Sequence, residues 1–255
     1  MALTATATVK SRDKIVKILG MCNPVVISQS PDKSNLIYRV QARTSVEKVF
    51  APLVEKLRKE RTNMPRVIIF CRKCEECATI YEFFRLALME EFTEPIGAPN
   101  LARYRLVDMF MSATDQTVKD SIAIVNSFCT QDKQLRVVIS TIAFGMGVDC
   151  ANVRQIVHWG VAADVESYVQ ESGRAGRNGK IACATTFFKA SDLDARRVSK
   201  DMINYCQNKD QCRRSLLFSH FDSAITENEP HGCVCCDVCA LSCKCEDCMC
   251  SFFPV

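Results

Sequence analysis

Three stretches of the sequence combine residue types that do chemistry together. Residues 137–149 read Val-Val-Ile-Ser-Thr-Ile-Ala-Phe-Gly-Met-Gly-Val-Asp, an apolar run feeding a loop with hydroxyls and glycines. Bare backbone at Gly145 and Gly147 lets main-chain N–H groups come close to a phosphate or another anion. Residues 168–179, Tyr-Val-Gln-Glu-Ser-Gly-Arg-Ala-Gly-Arg-Asn-Gly, carry Arg174 and Arg177, whose spacing of three predicts neighbouring positions on one helical face. Guanidinium forks match phosphate oxygens bidentately and stay charged, so such a pair suits the charge that develops on a transferring phosphoryl group. The third stretch is thiol-rich. Cys233, Cys236 and Cys239 recur at x-x intervals, a spacing that supplies thiolates to one zinc ion, and Cys212, just before Arg213 and Arg214, is the expected fourth ligand. Cys206 and Cys235, displaced in register, and His231 are the alternatives.

These residues need elements to hold them. Helical periodicity runs from about Thr8 to Leu19, and a short β segment is expected at Val25–Ser28. From Ser45 a helix presents Val49, Leu53 and Leu57, and Val67–Cys71 reads as a strand buried on both faces. A helix from Glu75 to Glu91 should turn Ala78, Tyr81, Phe84 and Leu88 inward. Thr93–Asn100 is a loop. Asp115–Phe128 reads as helix, Leu135–Ser140 and Arg154–Trp159 as strands, Asp164–Ser172 as helix and Ala182–Phe188 as strand. Helices are expected at Ser191–Tyr205 and Asp210–Phe221. Strands alternating with helix-length segments indicate βαβ units and a parallel sheet. The expected fold class is α/β, a parallel sheet flanked by helices, with a small helical, Cys-rich, zinc-binding appendage.

Composition narrows the class. The chain has 255 residues, 48% hydrophobic and 24% charged, which excludes disordered and fibrous architectures. Its longest apolar stretch, Val137–Val148, is broken by Ser140, Thr141, Gly145 and Gly147, so no membrane span is expected. The first eight residues lack the charged and apolar regions of a secretion signal. Of 17 cysteines, ten fall between Cys206 and Cys250; with an odd count and no signal, metal thiolates are expected rather than a disulfide scaffold. Cys71, Cys74 and Cys77 read as small core hydrophobes and His158 as a packed side chain. Cys243, Cys245, Cys248 and Cys250 also have metal-like spacing, although an unstructured thiol-rich end is the simpler expectation. A formal charge of +4 is compatible with a nucleic-acid partner without establishing one.

Taken jointly, in this order and separation, the glycine loop and the arginine segment resemble motifs V and VI of superfamily two helicases. The wording Ala-Phe-Gly-Met-Gly-Val-Asp at 143–149, Asn-Val-Arg at 152–154 and Gln-Glu-Ser-Gly-Arg-Ala-Gly-Arg-Asn-Gly at 170–179 resembles the RecQ family of DNA helicases. Met1–Ala7 looks like motif III of that family, Val67–Cys71 like its motif IV strand, and Tyr205 to Cys239 like its zinc subdomain. The resemblance implies a RecA-like fold, with residues 1–44 the end of a first RecA-like domain and linker, 45–190 a second RecA-like domain, and 191–255 the zinc-binding subdomain and Cys-rich tail. It implies ATP-dependent 3'-to-5' unwinding of DNA, with single-stranded or forked DNA as partner and nuclear placement, cytoplasmic if unassembled. By the same resemblance Gln170, Arg174 and Arg177 face the ATP γ-phosphate, and Asp149 and Gly147 lie toward the nucleotide, a turn cap being the alternative for Asp149. Thr141, Gly145 and Met146 face DNA or couple to it, and Thr4 to Thr6 link hydrolysis to strand movement. Arg72 and Lys73 follow the motif IV strand and are candidates for the phosphate backbone, with solvated surface charge the alternative.

The resemblance also exposes absences. No G-x-x-x-x-G-K-[ST] phosphate loop and no D-E-x-H occur in the 255 residues. ATP and Mg²⁺ are therefore expected only with a complete motor, whose missing first RecA-like domain becomes an implied partner, and a start at methionine within motif III points to truncation. Met111–Asp115 stands where the family has His-Ala-Gly, and Arg72-Lys73-Cys74 replaces Asn-Ser-Arg. The competing expectation is a non-enzymatic module that binds nucleic acid or regulates a helicase.

Overall fold

The computed structural model describes residues 1–4, 6–110, 117–130, 132–141, 150, 152–221 and 230–244. Six strands form one wholly parallel sheet: β1 (Leu36–Ala42), β2 (Arg66–Cys71), β3 (Val107–Phe110), β4 (Val137–Ser140), β5 (Val153–Trp159) and β6 (Ala182–Phe188), in the order β1-β6-β5-β2-β4-β3. Parallel pairing requires crossovers, and these carry helices to both faces.

Alternation along the strands divides the core in two. Ile68, Phe70, Val138 and Ile156 point to one face, packing with Tyr168 and Val169 of α5 (Val165–Ser172), Met202 and Tyr205 of α6 (Lys200–Gln207) and Leu217 of α7 (Arg213–Phe218). Val67, Ile69, Val137, Ile139 and Val157 point to the other, under α2 (Val46–Glu60) and α3 (Cys74–Leu88). Helix α2 begins where Ser45 caps it by accepting from Lys48 N, and it buries Val49, Phe50, Leu53, Val54 and Leu57, a stripe at helical spacing. Helix α3 buries Cys77, Ile80, Phe84 and Leu88. Ala78, expected inward, is exposed, because the inward stripe runs one residue earlier.

Helix α4 (Thr117–Cys129) ends at a disulfide to Cys150. The end of α4 packs beside the start of β5 and brings these two distant cysteines together, outside the Cys206–Cys250 stretch expected to supply metal thiolates. Cys71 and Cys77 are buried as expected, whereas Cys74, opening α3, is exposed.

Other expectations are revised. Val25–Ser28 is not a strand; Val25 and Ile27 are almost wholly exposed and have no sheet neighbour. Strand β1 instead lies at Leu36–Ala42, inside the stretch expected to be linker. The helix expected over Ser191–Tyr205 is a 3-10 turn at Ala190–Asp192 followed by the shorter α6. Among the described residues no helix is long and apolar enough to cross a membrane.

Helix α1 (Val9–Ile18) buries no residue and is held by its N-terminus, where Thr8 N donates to Glu166 Oε1 at 2.6 Å and Val9 N to His220 O at 3.1 Å. Burial works to raise the Glu166 pKa, but hydrogen bonds from Ser11 and Thr8 outweigh it and hold the carboxyl below its ordinary value. A pKa depressed by folding contributes stability above the unfolded value, about 4.3, and loses it as pH falls through the folded one. Helix α1 should therefore detach as pH is lowered below about 4, visible in the backbone NMR shifts of Val9–Ile18. Glu166→Gln should weaken the attachment at neutral pH and remove most of its pH dependence; an unchanged profile in that variant would assign the anchoring elsewhere.

Candidate functional site: an arginine loop and a four-thiol centre

Helix α5 starts at Asp164, whose side chain accepts from Ser167 N at 2.8 Å, and stops at Gly173. A Cβ on Gly173 would stand 2.9 Å from Val169 O, and Gly176 has φ +66°, which an L side chain rarely adopts. Gln170 is exposed on the last turn of α5, but Arg174 and Arg177 lie in the turns that follow it rather than on a helical face. Their expected common face is corrected accordingly: the glycines end the helix before the first arginine. The two still share one loop, Arg174 half-buried and Arg177 exposed. Burial, together with the neighbouring Arg177 charge, lowers the pKa of Arg174.

Hydrogen bonds fix where this loop sits. Gly176 N donates to Val153 O at 3.0 Å, at the start of β5, and Ala182 N, at the start of β6, donates to Asn35 O at 2.9 Å. The arginines therefore stand at the N-terminal edge of the parallel sheet. Four contacts come from two side chains of a segment the motif spacing did not point to: Lys33 Nζ donates to Gly173 O (2.5 Å) and Ala175 O (3.2 Å), and Asn35 Nδ2 to Gly176 O (2.8 Å) and Lys180 O (2.7 Å). Behind the loop, His158 is buried with Nε2 2.9 Å from Glu171 Oε2 and its ring against Phe70 and Tyr168, a packed histidine as expected.

The expected nucleic-acid residues fall at the opposite edge. Thr141 follows β4, and Arg72 and Lys73 follow β2, so all three mark C-terminal strand ends. Strand β5 has seven residues, and at about 3.3 Å per residue the two edges are roughly 20 Å apart. Arg72 is exposed, but its guanidinium is engaged with backbone, donating from Nη1 to Val161 O and from Nη2 to Arg197 O at 3.5 Å. Lys73 is exposed at the N-cap of α3. Gly145, Met146, Gly147 and Asp149 lie outside the described residues, as do Met111–Asp115 and Cys245, Cys248 and Cys250. Thr4 and Thr6 line a cavity of about 870 Å³ with Val16, Val26, Ile27 and Phe221, and neither Arg174 nor Arg177 lines it.

The thiol centre assembles on the far side of β1. Cys212 caps α7, Cys236 caps the short α8 (Asp237–Ala240), and Cys239 lies within α8. The sulfurs of Cys212, Cys235, Cys236 and Cys239 all lie within 4.8 Å of one another, Cys212 and Cys235 at 3.5 Å. A tetrahedral zinc with Zn–S of about 2.3 Å places its sulfurs about 3.8 Å apart, so the four thiols fit that ion. Three of the four expected ligands are brought together. Cys235 stands where Cys233 was expected, because Gly232–Val234 forms a 3-10 turn that leaves Cys233 buried outside the cluster. The backbone then switches from helical at Cys235 to extended at Cys236, which lets two adjacent side chains converge. Hydrogen bonds from the Cys235 and Cys236 thiols hold Cys212 far below the ordinary thiol range.

The centre is tied to the sheet. Tyr38 N donates to Cys235 O at 3.2 Å, Val40 N to Asp237 Oδ2 at 2.9 Å, and Arg213 bonds Asp237 Oδ1 and, at 2.8 Å, Tyr205 O. Arg214 is almost wholly buried, its guanidinium 5.2 Å over the Tyr38 ring and bonded to Asp32. Burial disfavours its charge, but Asp32 and Tyr38 hold its pKa above the ordinary arginine value.

Comparison with known proteins agrees with this arrangement. Residues 48–179 match the helicase conserved C-terminal domain, and residues 188–240 match the RecQ zinc-binding family. The chain is 30% identical over 254 residues to ATP-dependent DNA helicase Q-like 2 of Arabidopsis thaliana, covering 95% of this chain and 33% of that protein. It is 30% identical over 261 residues to RecQ-like DNA helicase BLM of Xenopus laevis, covering 94% of this chain and 18% of that one. The chain thus spans a third or less of the length of these two curated relatives. In fold it resembles S. cerevisiae Dbp5 bound to RNA and ADP BeF3, with TM-score 0.54 and 15% identity over 80% of this chain and 48% of that one. The RecA-like sheet flanked by helices is shared with that structure, and the matched zinc family together with the four-thiol cluster supports zinc. The chain belongs to the helicase conserved C-terminal domain family, in its RecQ branch.

Proposed function

We propose that the chain is the C-terminal motor half of an ATP-dependent 3'-5' DNA helicase acting in DNA recombination and repair in the nucleus. The observation that carries this reading is the arginine loop: two guanidinium groups on one glycine-bounded turn, its backbone held at four carbonyls by Lys33 and Asn35. Fixed cations of this kind stabilise charge on a transferring phosphoryl group, with Arg177 the outermost, Arg174 beside it and Gln170 on the preceding helical turn. The residues present hold one wall of such a site. ATP with Mg²⁺ would supply the reacting phosphate, and the phosphate loop and metal-binding acids must come from a first RecA-like domain, since neither sequence occurs in the 255 residues. Asp149 and Gly147 are assigned to the nucleotide side by the same reading. Cys212, Cys235, Cys236 and Cys239 would hold zinc as a closed, structural four-thiolate site.

DNA is assigned to the opposite edge, at Thr141 and Lys73, with Arg72 supporting the adjoining backbone; Gly145 and Met146, outside the described residues, are assigned to DNA by the family resemblance alone. Absence of the phosphate loop favours a second reading, a nucleic-acid-binding or helicase-regulating module without its own turnover. The helicase reading requires single-stranded DNA to bind, so that is the first test. Two to four phosphate contacts predict a roughly 7- to 50-fold loss of affinity between 50 and 200 mM salt, with little sequence preference. Lys73→Ala should flatten that salt slope. No binding at low salt, or equal affinity across the range, would defeat the assignment of this edge to DNA.

A further inference from the structure

A chain of polar contacts joins the thiol centre to the arginine loop through the five residues that lead into β1. Helix α7 begins at Cys212, and its Arg214 bonds Asp32 Oδ1, Lys33 O (3.0 Å) and Leu36 O, so one buried guanidinium fixes both ends of the 32–36 segment. The side chains of that same segment, Lys33 and Asn35, then take up four backbone carbonyls of residues 173–180. Asn35 is packed so closely against the loop that a Cβ on Gly176 would lie 2.6 Å from its Nδ2. Tyr38, two residues beyond the segment, donates its backbone N–H to Cys235 O. Thiol ligand, Arg214, segment 32–36 and arginine loop are therefore consecutive contacts.

We infer that Arg214, Lys33 and Asn35 are positioning residues through which the state of the four-thiol centre sets the placement of the Arg174–Arg177 loop. The inference rests on the assignment of those thiols to zinc and of that loop to nucleotide phosphate. Its physical basis is that the loop's own backbone bonds run from its N–H groups to its own turns, the preceding helix and β5, while its carbonyls at Gly173, Ala175, Gly176 and Lys180 are taken up by side chains of the 32–36 segment. Gly173, Gly176 and Gly179 leave its backbone free to take many conformations, and two of its three arginine-flanking carbonyl anchors come from Lys33. An arginine that must meet a developing charge needs its position fixed beforehand, because a displacement of about 1 Å can cost roughly 100-fold in rate. Loosening Arg214 releases the 32–36 segment, and with it the side chains that hold the loop.

The test reads backbone protection, not turnover. Amide hydrogen exchange is followed at Gly176, Gly179 and Ala182, whose N–H groups are bonded to Val153 O, Gly176 O and Asn35 O, with β2 and β5 amides as the reference for global folding. Removing zinc from the protein with a chelator should speed exchange across 173–182 by about ten-fold or more, and re-added zinc should reverse it. Asn35→Ala with Lys33→Met should speed the same amides without the chelator, and Lys33→Arg should restore them. In the double variant, chelation should add little, since contacts in one relay are not additive. Arg214→Lys, which cannot span three acceptors, should reproduce the effect with zinc content unchanged, and this arm stands whether or not the thiols hold the metal. Independent, additive effects of chelation and the double variant would overturn the relay, as would loop protection that ignores both Arg214→Lys and zinc. Should the double variant lose protection in β2 and β5, Asn35→Ser alone takes its place against the same criteria. None of these readouts involves ATP, so the relay and the nucleotide assignment can fail separately.

Discussion

Cys235→Ser is expected to leave the protein without its zinc, while Cys233→Ser keeps it. Four thiolates around one ion are a closed set, and among the described residues the sulfurs that stand within 4.8 Å of one another are those of Cys212, Cys235, Cys236 and Cys239. Removing one leaves three, and structural zinc is bound with apparent free energies on the order of 10–16 kcal/mol in small zinc modules. Loss of a ligand should lower zinc content from about one ion per chain toward zero, measured by atomic emission. It should also make residues 230–244 protease-sensitive, because α8 is only four residues long and buries none of its own residues. Cys233 lies in a 3-10 turn before the cluster, so serine there should change neither readout. Should Cys233→Ser release zinc and Cys235→Ser retain it, the ligand register would return to three cysteines at even spacing.

Arg177→Ala is expected to abolish DNA-stimulated ATP hydrolysis once a first RecA-like domain with its phosphate loop is supplied in the same polypeptide. Phosphoryl transfer depends on positioning and charge stabilisation, and a finger arginine contributes about 10³- to 10⁵-fold in turnover. Arg177 is exposed on its loop, so truncation should leave thermal stability and nucleotide affinity nearly unchanged while kcat falls by about 10³-fold or more. Arg174 is half-buried, and Arg174→Ala should cost stability as well as rate. The 255 residues alone should show no turnover, which is the control for a contaminating ATPase. A near-normal kcat in Arg177→Ala would remove it from the phosphate-facing role; a rise in KM alone would make it a ground-state contact.

Much of the fold was legible because buried parallel strands announce themselves. Val67–Cys71 and Ala182–Phe188 are continuous apolar or small-residue runs, and both are strands in the interior of the sheet. The two strands missed are the two edges. In β1, Arg39 and Gln41 interrupt the apolar run, and in β3 a buried Asp108 pairs with Arg105. Conversely, Val25–Ser28 has strand-like residues but pairs with no strand of the sheet, a fact no local pattern carries. The arginine loop was found by its wording, yet its placement was misjudged because the glycines that make it recognisable also end the helix. Lys33 and Asn35 gave no signal, since their partners lie some 140 residues away in sequence. In the thiol centre, even spacing favoured Cys233, and only the 3-10 turn before Cys235 decided otherwise.

The pairing of Tyr38 with Cys236, a one-residue ladder beside β1, has a bearing on solubility. An outermost strand with unsatisfied N–H and C=O groups is a template for a strand from another molecule. In this chain the outward donors of Tyr38 and Val40 are taken up by the thiol-bearing segment, at Cys235 O and Asp237 Oδ2. The metal would thus act as a cap against strand-to-strand aggregation: a chain that loses its ion keeps its apolar core but uncovers a sticky rim, so metal starvation would be met in the cell first as insolubility and only later as unfolding.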